Sequence, residues 1–355
     1  MVTTIDLNVH SSPEKLAKAL KHSLQTDGCV FSVAIRAAAP RRSDTVCTHS
    51  FIYLVNHGME EEAAKSFDIA SDFFGNETAE EKERCSDVLN KGYSAIGEEV
   101  LDPLEHPEGD KKEAFNLAAI EGDDVQPIPL RLQPHLPHLK SFRTSLFTFC
   151  QRLLTALAIA LELEPDRFTK FHDDSIFAPI LRFLHYPALP GGAKLANANR
   201  AAAHSDYGSC TLLFVHGEGG EGLQLLPESE RVAGGKWRDV PVVKNAVLCN
   251  IGDALELWSG AQYKSTMHRV QLPEIVPPEG IPARYSIAFF NQPIPTTSLK
   301  TLVPVSSISD IDLERMERKG VKPGTEISAG AHLQARLDAT YKMRSAERTA
   351  APVIA

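Results

Sequence analysis

Three side chains of metal-binding type stand in a pattern that brings two of them together. His204 and Asp206 are two apart in the strand-like run ending His204-Ser205-Asp206, and residues two apart on an extended strand project to the same face. His268 lies 62 residues beyond Asp206, inside Thr266-Met267-His268-Arg269-Val270, a second strand-like run that offers a third ligand. Two neutral imidazoles and a carboxylate on one face of a metal leave several cis positions open, a set suited to a ferrous ion that handles O2. Sixteen residues after His268 come Arg284 and Ser286. On a strand their guanidinium and hydroxyl stand side by side and match a carboxylate, bidentate from the arginine with a further donor from the serine.

The H-x-D pattern alone is weak. With thirteen His and nineteen Asp in the chain, roughly one such triplet arises by chance. A second copy stands at His172-Asp173-Asp174, and its place after Pro165-Asp166-Arg167-Phe168 reads as a polar cluster at a helix exit. What selects His204 is its sequel: the apolar, β-branched run Thr211 to Val215, a glycine-rich turn, further strands, then His268 and the Arg-Ser pair. His216-Gly217-Glu218 reads as a surface turn, because metal ligands need rigid support. Residues 217–222 lack the following helix and Lys-Ser or Lys-Thr pair of a phosphate cradle. His57 reads as a turn histidine satisfied by backbone, and Asp253 as a carboxylate bonding backbone amides near a strand end.

Six segments carry a more specific likeness: Leu181-Arg182-Phe183-Leu184-His185-Tyr186-Pro187, His204-Ser205-Asp206, Gly222-Leu223-Gln224, Asn250-Ile251-Gly252-Asp253, His268-Arg269-Val270 and Arg284-Tyr285-Ser286. In order and spacing they resemble the 2-oxoglutarate and Fe(II)-dependent dioxygenases of the isopenicillin N synthase-like branch. Tyr53-Leu54-Val55-Asn56-His57-Gly58 resembles that branch's N-terminal signature, so the likeness runs over roughly residues 5 to 343. The resemblance implies that His204, Asp206 and His268 ligate Fe(II), that Arg284 and Ser286 hold the distal carboxylate of 2-oxoglutarate, and that Tyr186 hydrogen-bonds this co-substrate. Leu184 stands where many relatives carry Asn, which removes one polar contact to the co-substrate. The implied reaction oxidises a small organic molecule, most simply by hydroxylation, with O2 and 2-oxoglutarate going to succinate and CO2. Three other readings stay open at this point: a same-fold oxidase that turns the Arg-Ser pair on a substrate carboxylate, a zinc hydrolase built on two His and one Asp, and an inactive or binding-only member.

The elements that must position these residues follow from periodicity. Residues 180–292 are dense in short apolar runs separated by Gly, Pro and Asn, the signature of an all-β barrel or jelly roll. The expected fold is mainly β with packed helices: a double-stranded β-helix (jelly-roll) core and a long supporting helix. That helix is read over Leu139–Leu163, where Leu139, Phe142, Leu146, Phe149, Leu153 and Leu157 step by three and four. Thr4 to Leu7 reads as an opening strand. A helix capped by Ser12, with Pro13 at its first position, carries Leu16, Leu20 and Leu24, and another covers Glu60–Phe74. Phe115 and Asn116 read as packing residues. Helices are expected over Ser306–Tyr341 and a frayed tail from Arg344. The boundary falls between an N-terminal region, 1–125, and the iron-binding core with its C-terminal helices, 126–355. Residues 32–50 have neither helical nor strand period, and removing them joins Asp27-Gly28-Cys29-Val30 to Phe51 as one buried strand. We read them as an anomalous insertion, the translation of an unspliced short intron, because a structureless loop of this length inside a domain is uncommon.

Composition narrows the partners. At 355 residues and 43% hydrophobic, the chain can bury a full core. A net charge of -9 leaves no basic excess to neutralise phosphates, which argues against nucleic acid. The six cysteines include no C-x-x-C, which fits buried thiols in a reducing compartment. Met1 to His10 has no basic region followed by an apolar one, and no eighteen apolar residues run together. The expectation is a cytoplasmic monomer acting on a small molecule, with no membrane partner.

Overall fold

Strand alternation sorts the core into two compartments. In β5 (Ile180–Tyr186) Leu181 and Phe183 are fully buried on one face, while Leu184 and Tyr186 are buried on the other. In β12 (Arg284–Asn291) Ile287 and Phe289 take the first face, and Arg284, Ser286 and Ala288 take the second. A period of two on a strand buried on both sides requires a layer against each face.

The chain is seen in a computed structural model that describes residues 2–25, 51–86, 90–102, 106–118, 120, 125–174, 179–195, 197–216, 221–227, 235–321 and 325–340. The segment 32–50 and the tail from Arg344 lie outside the described residues, as does Gly217-Glu218. Around β5 and β12 the larger sheet holds β1 (Thr3–Asp6), β2 (Phe51–Val55), β3 (Gly92–Ser94), β4 (Glu113–Leu117), β7 (Cys210–Val215) and β10 (Ala246–Ile251). Its order is β1-β2-β10-β7-β12-β5-β4-β3. The smaller sheet holds β6 (Asn199–His204), β8 (Leu223–Leu226), β9 (Arg238–Asp239) and β11 (Met267–Gln271), in the order β6-β11-β8-β9. Consecutive strands pass from one sheet to the other, as in a jelly roll. Strands from the N-terminal region join the same large sheet, β1 and β2 beside β10, and β4 beside β5.

Helices cover the outer face of the large sheet. In α1 (Pro13–Gln25), Ser12 Oγ accepts the Lys15 N–H at 3.3 Å, and Leu16 and Leu20 are buried. α2 (Glu60–Asn76) buries Phe67, Ala70, Phe73 and Phe74. A short α3 (Ala79–Arg84) follows, with Thr78 as its N-cap. The supporting helix, α4 (Leu136–Ala160), begins before the expected Leu139 and ends at Ala160. Glu162 takes a φ of 61°, and this left-handed residue ends the helix short of Leu163. Leu139, Phe142, Leu146 and Leu153 of α4 are all buried, so truncating one of them to alanine would cost about 2–5 kcal/mol. After the strands come α5 (Asp253–Trp258), α6 (Asp310–Arg318) and α7 (Ala329–Thr340). Phe115 is fully buried in the core, and Asn116 donates to Asn90 Oδ1 at 2.8 Å, so both are packing residues. Among the described residues no helix is long and apolar enough to cross a membrane.

Candidate metal centre and its cavity

β6 and β11 run antiparallel with His204 directly opposite His268, and their ring centroids are 4.3 Å apart. Asp206, just past the end of β6, places Oδ1 3.9 Å from His204 Nε2 and 3.8 Å from His268 Nε2. The other ring nitrogens face backbone carbonyls: His204 Nδ1 lies 2.8 Å from Ala202 O, and His268 Nδ1 lies 3.1 Å from Thr266 O. A carbonyl only accepts, so Nδ1 carries the proton in both rings and each Nε2 lone pair points at the same spot. One ligand atom from each of the three residues falls within 4.8 Å of the others, and among the described residues no other His, Cys, Asp and Glu set does so.

Two further side chains aim the carboxylate. Thr211 Oγ1 donates to Asp206 Oδ2 at 2.7 Å and Asn250 Nδ2 donates to it at 2.6 Å, leaving Oδ1 to the histidines. Burial works to raise the Asp206 carboxyl, but the two histidines and these donors outweigh it and hold it below its usual value. Burial, helped by His268, pushes His204 down to about 3. An anionic Asp between neutral imidazoles is the protonation state that a divalent metal requires.

The turn carrying the pair is gripped from behind by Asn250-Ile251-Gly252-Asp253. Gly252 N–H donates to Ser209 O at 2.9 Å, Asp253 N–H to Asp206 O at 2.8 Å, and Ala254 N–H to Gly208 O at 3.0 Å. A Cβ on Gly252 would lie 2.2 Å from Gly208 O, so only glycine permits this approach. The Asp253 side chain corrects the sequence reading: its carboxylate meets side chains, not backbone amides. It accepts from Lys319 Nζ at 2.8 Å and from Ser205 Oγ at 3.2 Å. Lys319 also pairs with Glu256, which in turn pairs with Arg315. The decoy His172 is remote from the metal ligands and supports the same turn, with Nδ1 2.9 Å from Phe168 O and Nε2 2.8 Å from Ser209 Oγ. His57 Nδ1 accepts the Met59 N–H at 3.0 Å, as a turn histidine would.

Arg284, Ser286 and Tyr186 come together beside the triad. Arg284 and Tyr186 are cross-strand partners on β12 and β5. The guanidinium lies 4.7 Å from the centre of the Tyr186 ring and donates to Ser286 Oγ at 3.3 Å. All three residues, with the metal triad and Leu184, line one cavity of about 130 Å³. Its far wall is polar and internally neutral: Lys112 pairs with both Glu99 and Asp110, and Arg182 pairs with Glu99. Asp110 also accepts the Ala202 N–H at 3.1 Å, tying this network to β6. Leu333 and Leu337 of α7 close another side, and Arg336 rests 4.8 Å from the Tyr207 ring centre. Sequence reasoning gave no role to Thr211, the Glu99-Lys112-Arg182 network or these leucines. Only Asn250, within its segment, carried a signal.

A profile of the 2OG-Fe(II) oxygenase superfamily matches residues 177–293, and one described as the N-terminal part of a non-haem dioxygenase in morphine synthesis matches residues 41–138. A 2-oxoglutarate-dependent dioxygenase, frbA, of Dothideomycetidae sp. is 30% identical over 268 residues, covering 70% of this chain and 78% of its own. A UPF0676 protein of Schizosaccharomyces pombe is 30% identical over 295 residues, or 82% of this chain and 84% of its own. The crystal structure of a full-length Neurospora crassa protein, in complex with alpha-KG and 5-formyluracil, matches with a TM-score of 0.70 and 26% identity over 96% of each chain. A shared fold, a converging His-Asp-His set and this extent of identity have one explanation: the chain belongs to the 2OG-Fe(II) oxygenase superfamily and is a 2-oxoglutarate-dependent dioxygenase.

Proposed function

We propose that His204, Asp206 and His268 hold Fe(II), that Arg284 and Ser286 receive the distal carboxylate of 2-oxoglutarate, and that Tyr186 hydrogen-bonds this co-substrate while the chain hydroxylates a small organic molecule. The observation that carries the assignment is the convergence of both Nε2 atoms and Asp206 Oδ1, with every opposite atom of the three groups already satisfied. When bound, ferrous iron supplies a centre at which O2 is reduced at the expense of 2-oxoglutarate, giving succinate and CO2. The protein's part is positional. The Nδ1 bonds fix each imidazole, Thr211 and Asn250 fix the carboxylate, and the Arg-Ser pair fixes the length of acid that reaches the metal. Leu184, Leu333 and Leu337 keep bulk water from the reacting atoms.

Lys112 and Arg182 are neutralised inside the protein, and this supports an uncharged polar substrate. The 5-formyluracil in the Neurospora crassa complex is a ligand of that kind. Four buried free cysteines among the described residues support work in the cytoplasm, and we take the protein as a monomer. The test is an anaerobic titration of the full chain with Fe(II) and 2-oxoglutarate, followed by a screen of neutral polar compounds for stimulated succinate release. The expected result is a visible keto-acid chelate band that Asp206→Ala abolishes. A wild-type chain that binds iron and acid without the band, or an Asp206→Ala variant that retains it, overturns the assignment.

A further inference from the structure

Behind the Arg-Ser pair lies a second compartment of about 270 Å³ that shares Tyr186, Val270 and Arg284 with the metal cavity. Its remaining wall includes Arg200, Gln271 and Ile281. Arg200 belongs to β6, four residues before His204, and is 5% exposed. Its only hydrogen bond among the described residues runs from Nη2 to Pro187 O at 2.7 Å, and its buried Nε has no acceptor. Its guanidinium lies 5.6 Å from the centre of the Tyr186 ring, the same ring on which Arg284 rests at 4.7 Å.

Two guanidinium ions therefore share one aromatic ring in a closed space. Neither can shed its proton, and burying like charges together is costly unless a counter-charge arrives. Arg200 forms no ion pair with a described carboxylate. The one acid in the wall, Glu221, is exposed. Burial, with Arg284 adding to it, holds Arg200 below its usual pKa against the opposing pull of Tyr186, as expected of a cation without a partner.

We propose that this compartment is an anion subsite in which Arg200, together with Arg284, holds a carboxylate beyond the reach of 2-oxoglutarate, so that the chain binds tricarboxylic acids in competition with its co-substrate. The inference rests on Arg284 serving as the co-substrate clamp. It makes Arg200 the side chain that distinguishes a longer acid from 2-oxoglutarate.

The probe is propane-1,2,3-tricarboxylate, added to the anaerobic, ferrous full-length chain and followed by calorimetry and by displacement of the 2-oxoglutarate chelate band. Wild type is expected to bind it and lose the band. Arg200→Met is expected to weaken the tricarboxylate about tenfold or more, the loss of one charge-assisted bond, while leaving the affinity for 2-oxoglutarate unchanged. Arg200→Lys, which keeps the charge, recovers part of the loss. An intact band with tricarboxylate binding indifferent to Arg200→Met, or with no tricarboxylate binding by wild type, overturns the subsite alone. Absence of any band, with Arg200-dependent tricarboxylate binding retained, overturns the functional assignment and leaves the subsite standing.

Discussion

At the scale of single residues, the metal centre depends as much on the groups behind the ligands as on the ligands. Asp206 can present Oδ1 only while Thr211 and Asn250 occupy Oδ2. Removing one such donor lets the carboxylate turn, and losses of about 10–100-fold in metal affinity are usual for changes of this kind. Asn250→Ala is therefore expected to weaken Fe(II) binding by that factor while leaving the fold intact, as read by metal titration beside a thermal melt. The ligands were legible in the sequence because a strand's period of two is a local rule that joins His204 to Asp206. Thr211 was not, since a Thr in an apolar run looks like any strand residue until the sheet closes and shows which way its hydroxyl points. Arg200 was invisible for a related reason: its meaning comes from Arg284 on another strand of another sheet, and one sequence carries no sign of that meeting.

At the scale of elements, the segment Asn250 to Asp253 and helix α6 form a brace for the turn between β6 and β7. Periodicity revealed the strands and α4, whose apolar stripe needs no partner to be recognised. It misassigned Asp253, because a carboxylate near a turn usually bonds local amides, whereas this one meets Lys319 from beyond the last strand. Lys319 is buried between Asp253 and Glu256. Breaking a buried pair leaves an uncompensated charge and costs about 3–5 kcal/mol. Lys319→Met is expected to lower stability by that amount in denaturant unfolding. It should also weaken metal binding, because Asp253 holds Ser205 between two of the ligands.

At the scale of the whole molecule, the jelly roll could be read from its short strands, while the closure of its cavity by α7 could not. Nothing in the helical period of Leu333 and Leu337 says which concavity they cover. Stability as a whole is expected to fall in acid, and the sign follows from two buried groups. Burial holds His172 down at about 4, against an unfolded value of about 6.5. Between those values the unfolded chain binds the extra proton, so folding weakens as pH drops through that window, by about 3 kcal/mol in full. Asp253 acts in the same direction at lower pH. Burial would raise its carboxyl, but Lys319 and His332 hold it far below the usual carboxylate range, so its contribution is present above that range and lost beneath it. Urea midpoints measured from pH 7.5 downward should show the decline, and His172→Gln should flatten its upper part.

The wall formed by Leu333 and Leu337 also bears on how the protein is made. Ribosomes deliver His204, Asp206 and His268 well before Ala329 emerges, so a nascent chain owns its full ligand set while one flank of the chamber is still open. Iron has its easiest approach during that interval, and the arrival of the last helix then shuts the loaded centre away from solvent.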